Sequence, residues 1–253
     1  MSGWLRVVGL GPGPVNWITP EASAVLAAAS DIVGYHAYVS RLSVGTGQNV
    51  HGSDNREELQ RAQKALELAA GGARVAVVSG GDPGVFAMAA AVFEALEAGP
   101  AAWRALDVAV LPGITAMLAA AARLGAPLGN DFCAINLSDN LKSWAVIERR
   151  LTLAAQADFV IALYNPASRA RRDQIHACFH ILRRERSPET LVVFAAAIGR
   201  DDEQIQLRRL ADADPGLADM RTLVLIGASS TRCIERAGGP PFIYTPRGVG
   251  ESS

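Results

Sequence analysis

The chain has 253 residues, of which 50% are hydrophobic and 19% are charged, so it can bury a sizeable core as one large or two small α/β domains. Its 24 Lys and Arg residues nearly balance 25 Asp and Glu residues. No excess positive charge is available to hold the phosphates of nucleic acid, so we expect no nucleic-acid partner.

The cysteines and the apolar segments indicate the compartment. Cys133, Cys178 and Cys233 form no CxxC pair, which argues against a zinc knuckle, an iron–sulfur motif and a disulfide framework, and fits a reducing cytoplasm. The first residues, "MSGWLRVVGL", enter a strand pattern at once, which leaves no room for a signal peptide. No uncharged apolar segment reaches the roughly 20 residues of a membrane span. We therefore expect a cytoplasmic protein with no membrane partner.

Short β-branched runs alternate with Ala- and Leu-rich stretches along the chain. The predicted strands are "LRVVGL", "DIVGY", "RVAVVSG", "DVAVLPG", "FCAINLS", "DFVIALYNP", "TLVVFAAAIG" and "RTLVLIGAS". The predicted helices between the early strands are "PEASAVLAAAS", "REELQRAQKALELAAGG", "VFAMAAAVFEALEAG" and "TAMLAAAARLG". This alternation is typical of parallel sheets covered by crossover helices.

A cluster of Gly, Pro and Asn in "GAPLGNDF" separates the first four predicted strands from the last four. It predicts an N-terminal α/β domain of residues 1–128, which carries the Gly/Pro loops, and a C-terminal α/β domain of residues 129–253. We expect the tail "PRGVGESS" to be frayed.

The first loop, in "VVGLGPGPVNWITPEA", tests for a dinucleotide site. That fingerprint needs G-x-G-x-x-G, but after Gly9 and Gly11 the third position is Pro14. The prolines also lack the backbone N–H groups that cradle phosphate, and Thr19 with Pro20 predicts a helix start well beyond the loop. A nicotinamide oxidoreductase and a non-catalytic nucleotide-binding module are both disfavoured, while a rigid strand-to-helix turn stays open.

Two further strands run into Gly/Pro turns, in "VAVVSGGDPGVF" and "VAVLPGITA". In a parallel sheet the three turns share the carboxyl edge, where open α/β sheets bind their ligands. Glycines there allow the main chain to approach a ligand closely, and Asp82 and Thr115 supply polar side chains. Asp82 is also a candidate N-cap of a helix beginning at Pro83, a role compatible with ligand binding.

Taken together, "GLGPG", "SGGDPGVF" and "LPGITA" resemble the N-terminal motifs of the tetrapyrrole methylase family, in order and spacing. The resemblance spans nearly the whole chain and implies two α/β/α domains with an active-site cleft between them, and S-adenosylmethionine as methyl donor. "GSDNREE", "LSDNLKSWAVIERRL" and "DFVIALYNPASR" are similar to the members that methylate precorrin-3B at C-17 with ring contraction to precorrin-4 in cobalamin biosynthesis. The relatives acting on uroporphyrinogen, precorrin-2, precorrin-4, rRNA or diphthine fit less well.

The resemblance also implies a donor site made mainly of backbone contacts. Its residues would be Pro12, Gly80, Gly81, Asp82, Val85, Thr115, Ala116, Asn165, Ala197 and Ile198. The segment Ala196–Arg200 departs from the family's frequent Arg-Asn-Ala-Gly-Arg, which leaves only backbone contacts to Ala197 and Ile198. Ser229 matches a serine near the family's C-terminus.

Ring contraction moves protons, so general acids or bases are expected. The candidates are His36 and Tyr35 with Tyr38 in "GYHAY", and Asp54 with Asn55 in "GSDNREE"; His36 as an idle histidine and Asp54 as a helix cap are the alternatives.

The substrate's carboxylates call for local arginines, because the net charge of the chain is only −1. The predicted substrate contacts are Arg169, Arg171, Arg172 and Ser138; the alternative for the arginines is a solvated helix start. His176 and His180 at i, i+4 lack an evident third ligand, so we predict no metal site.

The family resemblance further implies a homodimer. It leaves one alternative of the same fold, a methyltransferase acting on cobalt-factor III; "GSDNREE" and the lack of a cysteine-bearing extension favour the metal-free substrate.

Overall fold

The computed structural model describes residues 3–54, 56–168 and 171–248. The chain divides into two compact units, Met1–Thr115 and Ala116–Ser253. The division therefore falls one helix earlier than the predicted boundary at 128/129, because the helix that begins at Ala116 packs against strands of the second unit. The predicted α/β class is confirmed in both units. Within the described residues, no helix is both long enough and apolar enough to cross a membrane.

The first unit contains a parallel sheet with helices on both faces. Its strands are β1 (Trp4–Gly9), β2 (Asp31–Tyr35), β3 (Asn49–Ser53), β4 (Arg74–Ser79) and β5 (Asp107–Leu111). Its helices are α1 (Pro20–Ala28), α2 (His36–Val39), α3 (Glu58–Ala70) and α4 (Met88–Ala98), with short 3-10 turns at Val15–Trp17 and Ala101–Ala105. The strand order is β3-β2-β4-β1-β5, and every pairing is parallel.

The central strands of this sheet are apolar along their whole length because both of their faces are covered. On one face Val7 and Val77 pack with residues of α3 and α4. On the other, Val8 and Val78 pack with Ala22 of α1. The order places the carboxyl ends of β4, β1 and β5 side by side, so the three Gly/Pro loops meet there.

Thr19 caps α1, as predicted, since its side chain accepts a hydrogen bond of 3.1 Å from the Ala22 N–H and Pro20 is the first helical residue. At the opposite edge of the sheet lies the buried carboxylate of Asp31. It is hydrogen-bonded to Ser30 Oγ at 2.8 Å, to Asn49 Nδ2 at 3.2 Å and to His51 Nε2 at 2.8 Å.

The second unit has a mixed sheet. Its strands are β6 (Gly125–Ala126), β7 (Phe132–Asn136), β8 (Val160–Tyr164), β9 (Leu191–Ala196), β10 (Gln204–Arg209), β11 (Thr222–Ile226), β12 (Arg232–Ile234) and β13 (Phe242–Tyr244). Its helices are α5 (Ala116–Leu124), α6 (Trp144–Gln156) and α7 (Asp173–Glu185), with a 3-10 turn at Pro215–Leu217. The main sheet has the order β10-β9-β11-β8-β7, and β12, β13 and β6 form a small separate sheet.

Parallel pairing was expected for both units, and it is wrong for most of the second sheet. Only β7 and β8 pair in parallel there, whereas β11 runs antiparallel to both of its neighbours and β10 antiparallel to β9. For β10 the physical reason is its connection: a short turn joins it to β9, and two strands joined by a tight turn can only be antiparallel. The core of this sheet includes the stacked rings of Phe179 and Phe194, whose centroids are 5.9 Å apart.

Candidate active site

Three loops of the first unit come together at the carboxyl edge of its sheet. The loop after β1 and the loop after β4 are joined by two backbone hydrogen bonds, from Gly11 N–H to the Gly81 carbonyl at 3.1 Å and from Gly81 N–H to the Gly11 carbonyl at 3.0 Å. The predicted donor contacts Pro12, Gly80 and Gly81 lie in these two loops.

The close approach of these loops requires glycine. A Cβ on Gly113, in the loop after β5, would lie 2.4 Å from the Gly81 carbonyl oxygen, and a Cβ on Gly9 would lie 2.7 Å from the Gly113 Cα. Both distances are far below van der Waals contact, so a side chain at either position would push the loops apart. The edge is therefore built of main chain, as the Gly-rich motifs predict.

Asp82 connects the second loop to the third. Its carboxylate accepts hydrogen bonds from the Gly84 N–H at 2.8 Å and from the Gly113 N–H at 3.0 Å. The prediction that Asp82 caps a helix beginning at Pro83 is wrong, because α4 begins only at Met88 with Ala87 as its N-cap. The carboxylate holds two loops together instead. Val85 lies in the same loop, and its N–H donates to the Asp82 carbonyl at 3.3 Å.

Strained backbone occurs at two of the predicted donor contacts. Within the described residues, the non-glycine residues with positive φ are Phe86 (52°), Asp158 (58°), Asn165 (50°) and Ala197 (51°). Asn165 and Ala197 are themselves predicted donor contacts, and Phe86 follows Val85. Such conformations cost about 1–3 kcal/mol each and persist where the surrounding structure enforces them, most often at functional sites.

The "GYHAY" segment lies at the same edge of the first sheet. The ring of Tyr38 covers Gly80, where a Cβ would come within 2.8 Å of it, and the rings of Tyr35 and Tyr38 meet edge to face at 5.4 Å. His36 was expected in a loop but is the first residue of the short helix α2. Its ring is exposed and packs over Gly52, where a Cβ would be 2.4 Å from Nδ1.

Asp54 follows β3 in an exposed turn. The turn is closed by a hydrogen bond from the Glu57 N–H to the Asp54 carbonyl at 3.2 Å and by one from the Asp54 N–H to Glu57 Oε2 at 3.0 Å. The N-cap of α3 is Glu57 rather than Asp54, so capping does not account for the Asp54 carboxylate. Asn55 lies outside the described residues.

In the second unit, Asn136 organises two predicted contacts. Its Oδ1 accepts a hydrogen bond from Asn165 Nδ2 at 3.1 Å and one from the Ser138 N–H at 2.9 Å. Sequence reasoning missed Asn136, although its place at the carboxyl end of β7 was a usable signal. The Met117 N–H donates to the Tyr164 hydroxyl at 3.0 Å, which brings the first turn of α5, with Ala116, next to the end of β8.

Ala197 and Ile198 are both buried at the end of β9, on the same edge of the sheet as Asn165. The Ala197 N–H donates to the Arg221 carbonyl and its carbonyl accepts from the Arg200 N–H, each at 3.0 Å. Thr115, the last residue of the first unit, is buried and directly precedes α5.

The arginines after "LYNPAS" have different environments. Arg169 lies outside the described residues. The side chain of Arg171 is only 12% exposed, with Nε 3.9 Å from the Asp139 carboxylate and Nη1 3.4 Å from the Leu137 carbonyl. Arg172 is exposed and directly precedes α7. Arg171 therefore contacts the segment after β7, while Arg172 is exposed.

Three other residues that the sequence singled out lie elsewhere. Ser229 donates through its N–H and its hydroxyl to the carboxylate of Asp158, which precedes β8, so it is at the edge opposite Asn165. His176 and His180 are exposed on α7. In the part of the chain that the structure describes, no three His, Cys, Asp or Glu side chains gather closely enough to hold a metal ion.

The fold and these loops match a known family. The model of the tetrapyrrole (corrin/porphyrin) methylases matches residues 5–214, and the chain belongs to this family. It is a methyltransferase. A protein from Sinorhizobium sp named precorrin-3B C(17)-methyltransferase is 56% identical over 247 residues, which cover 98% of this chain and 97% of that protein.

Other relatives show how far the similarity extends. A probable cobalt-factor III C(17)-methyltransferase from Salmonella typhimurium is 40% identical and covers 96% of this chain and 98% of that protein. The crystal structure of the methyltransferase CobJ superposes with a TM-score of 0.92 at 55% identity, covering 97% of this chain and 100% of that one. Uroporphyrin-III C-methyl transferase from Thermus thermophilus, complexed with S-adenyl homocysteine, has the same fold, with a TM-score of 0.65 at 22% identity over 89% and 92% of the two chains.

Proposed function

We propose that this methyltransferase transfers a methyl group from S-adenosylmethionine to C-17 of precorrin-3B and contracts the ring to precorrin-4, a step of cobalamin biosynthesis. The observation that carries the proposal is that the glycine-joined loops of the first unit contain the predicted donor contacts Pro12, Gly80 and Gly81. The strained backbone at Asn165 and Ala197, two predicted contacts in the second unit, supports it. The relative that is 56% identical from end to end supplies the substrate class.

The residues present fit a methyl donor. The loops at the first sheet's edge leave no room for a side chain at Gly113, so they offer carbonyl and amide groups to a ligand directly. The residues that we propose hold the donor are Pro12, Gly80, Gly81, Asp82, Val85, Thr115, Ala116, Asn165, Ala197 and Ile198. When bound, the donor supplies an electrophilic methyl: a substrate carbon forms the new C–C bond as the S–CH₃ bond breaks, and S-adenosylhomocysteine leaves.

The residues of the chain have to position the donor and the substrate and to exchange protons with the substrate. Because methyl transfer depends mostly on alignment, loops fixed by their own hydrogen bonds lower the entropy lost on binding. We propose that Tyr35, His36 and Asp54 exchange the protons of ring contraction, since they lie at the ends of β2 and β3 on the same edge as the donor loops. Their nearness in the fold supports this assignment.

For the substrate's carboxylates we propose Ser138 and the arginines Arg169, Arg171 and Arg172. Arg172 is the strongest candidate among those described, because it is exposed, whereas Asp139 already lies beside Arg171. An arginine binds a carboxylate through two parallel N–H groups, which orients a flat substrate as well as holding it.

The experiment is incubation of the purified chain with S-adenosylmethionine and enzymatically made precorrin-3B. We expect a product that has gained one methyl group and one equivalent of S-adenosylhomocysteine. A parallel reaction with cobalt-factor III tests the alternative substrate, which the 40% identical Salmonella typhimurium relative makes relevant. Turnover of the cobalt substrate alone would refute the proposal, as would co-purification of a nicotinamide nucleotide without methyl transfer.

We also propose that the chain works in the cytoplasm as a homodimer. The family resemblance supports the dimer, and the lack of paired cysteines supports the compartment. The molar mass of the purified protein, measured by light scattering, tests the dimer. A mass of one chain at micromolar concentration would refute it.

A further inference from the structure

Arg61 is a buried cation in the first unit. It lies in the first turn of α3 and is 4% exposed. Burial lowers the pKa of its guanidinium, and the charges of Glu58 and Glu57 act in the opposite direction. Among the described residues, no carboxylate comes within the 4.0 Å of an ion pair with it. A buried arginine without an anionic partner is uncommon and calls for an explanation.

The guanidinium donates to three neutral acceptors instead. Its Nε lies 2.8 Å from Ser53 Oγ, its Nη2 donates to the Asp54 carbonyl, and its Nη1 lies 3.3 Å from Met88 Sδ. The first two acceptors belong to the last residue of β3 and to the turn that follows it. The third is the first residue of α4, which follows the loop that contains Asp82. One planar side chain therefore ties the Asp54 turn to the start of α4.

We propose that Arg61 is a positioning residue that fixes the Ser53–Asp54 turn for the substrate, and this inference rests on the proposed function. Arg61 binds the backbone carbonyl of Asp54 and leaves the carboxylate facing solvent. It thereby sets where that carboxylate stands without neutralising it, which suits a group that must exchange protons with a bound macrocycle.

Fold stability alone is a poor explanation for this arrangement. An apolar side chain of similar length fills such a position without the desolvation of a cation, and replacing buried charge by well-packed apolar groups is often neutral or stabilising. The acceptors also have alternatives: the Asp54 carbonyl keeps its bond to the Glu57 N–H, and Ser53 is only half-buried. What is lost with the guanidinium is the fixed geometry of the turn.

The test compares Arg61→Met, Arg61→Lys and a control, Lys64→Met, which removes an exposed cation from the same helix. In Arg61→Met we expect amide hydrogen exchange at Asp54 and Glu57 to accelerate, and kcat/KM for precorrin-3B to fall, each about tenfold or more, the effect of about one hydrogen bond. Affinity for S-adenosylhomocysteine should stay within about threefold, because the donor loops are held by their own bonds.

The remaining outcomes are equally defined. Arg61→Lys, which keeps the charge but not the planar fork, should fall between Arg61→Met and the parent, and Lys64→Met should match the parent. Parental exchange and kinetics in both Arg61 variants would overturn the inference, as would a parallel loss of donor affinity, the mark of a general structural role. If Arg61→Met does not fold, Ser53→Ala replaces it with the same expectations. A parent that does not act on precorrin-3B refutes the proposed function, and the exchange data still decide whether Arg61 holds the turn.

Discussion

Removal of the Asp82 carboxylate should weaken donor binding without unfolding the chain. In Asp82→Ala the N–H groups of Gly84 and Gly113 both lose their acceptor, and the loops after β4 and β5 are no longer joined by a side chain. The backbone pairing of Gly11 with Gly81 remains, so the first two loops stay together. The substitution thus loosens one side of the proposed donor site.

The size of the effect follows from these two bonds. A hydrogen bond to a charged group contributes about 1.5–3 kcal/mol, and the lower value applies here because the Gly84 bond is exposed and the Gly113 bond only partly buried. In the variant, the loops after β4 and β5 must become ordered when the donor binds, and this ordering costs binding free energy. The two bonds together contribute roughly 3 kcal/mol. If half to nearly all of this free energy is lost from donor binding, affinity falls about ten- to a hundredfold.

Calorimetric titration with S-adenosylhomocysteine measures the change. Asp82→Asn keeps one acceptor oxygen and should lose about half as much free energy. The control is Asp107→Asn. Asp107 is the first residue of β5, its carboxylate binds Arg6, and its removal should leave the affinity for S-adenosylhomocysteine unchanged. If folded Asp82→Ala binds within twofold of the parent, the loops are rigid without the carboxylate and the reasoning is wrong.

Three other predictions concern the acid–base candidates, the substrate and the fold. His36→Ala should retain donor binding but slow ring contraction, and parental turnover would remove His36 from the mechanism. Arg172→Ala should weaken precorrin binding, followed by absorbance, by about ten- to a hundredfold; an unchanged affinity would mark Arg172 as a solvated helix start. Burial acts to raise the pKa of Asp31, but hydrogen bonds led by that of His51 outweigh it, so the pKa is lowered. The stabilisation is therefore complete above the unfolded-state pKa of about 3.9 and is lost as the pH falls through the lower folded-state value. Urea unfolding at pH values below about 3.9 should show that the free energy of unfolding falls less steeply with acid in Asp31→Asn than in the parent. An identical slope would contradict the lowered pKa of Asp31.

The strands that the sequence predicts share an apolar run, including the edge strands β5 and β7. "DIVGY" coincides with β2, and "RVAVVSG" contains β4. The strands β3 and β10 were missed because they lie at sheet edges, are largely exposed, and carry polar residues such as those of "QIQLRR". Edge strands are specified by their neighbours' free hydrogen-bonding groups, which a local pattern does not contain.

The candidate site divides in a similar way. Glycine spacing predicts the loops, because glycine lacks a Cβ and so marks positions where two backbone segments approach closely. The part played by Asp82 was only half predicted, because its partner Gly113 is distant in sequence. Arg61 and Asn136 escaped notice altogether: arginine in a polar helix and asparagine after a strand are ordinary in sequence, and only burial and partners distinguish them.

The interlocked glycines have a consequence for how this enzyme can change. Where the glycine loops meet, the surface is main chain and offers no side chain to substitute, and at Gly113 even a methyl group meets the Gly81 carbonyl. The proposed substrate residues Asp54 and Arg172 instead present exposed side chains, and there single substitutions alter charge and shape freely. Mutational drift and deliberate redesign should therefore diversify the molecule that is methylated far sooner than the molecule that provides the methyl group.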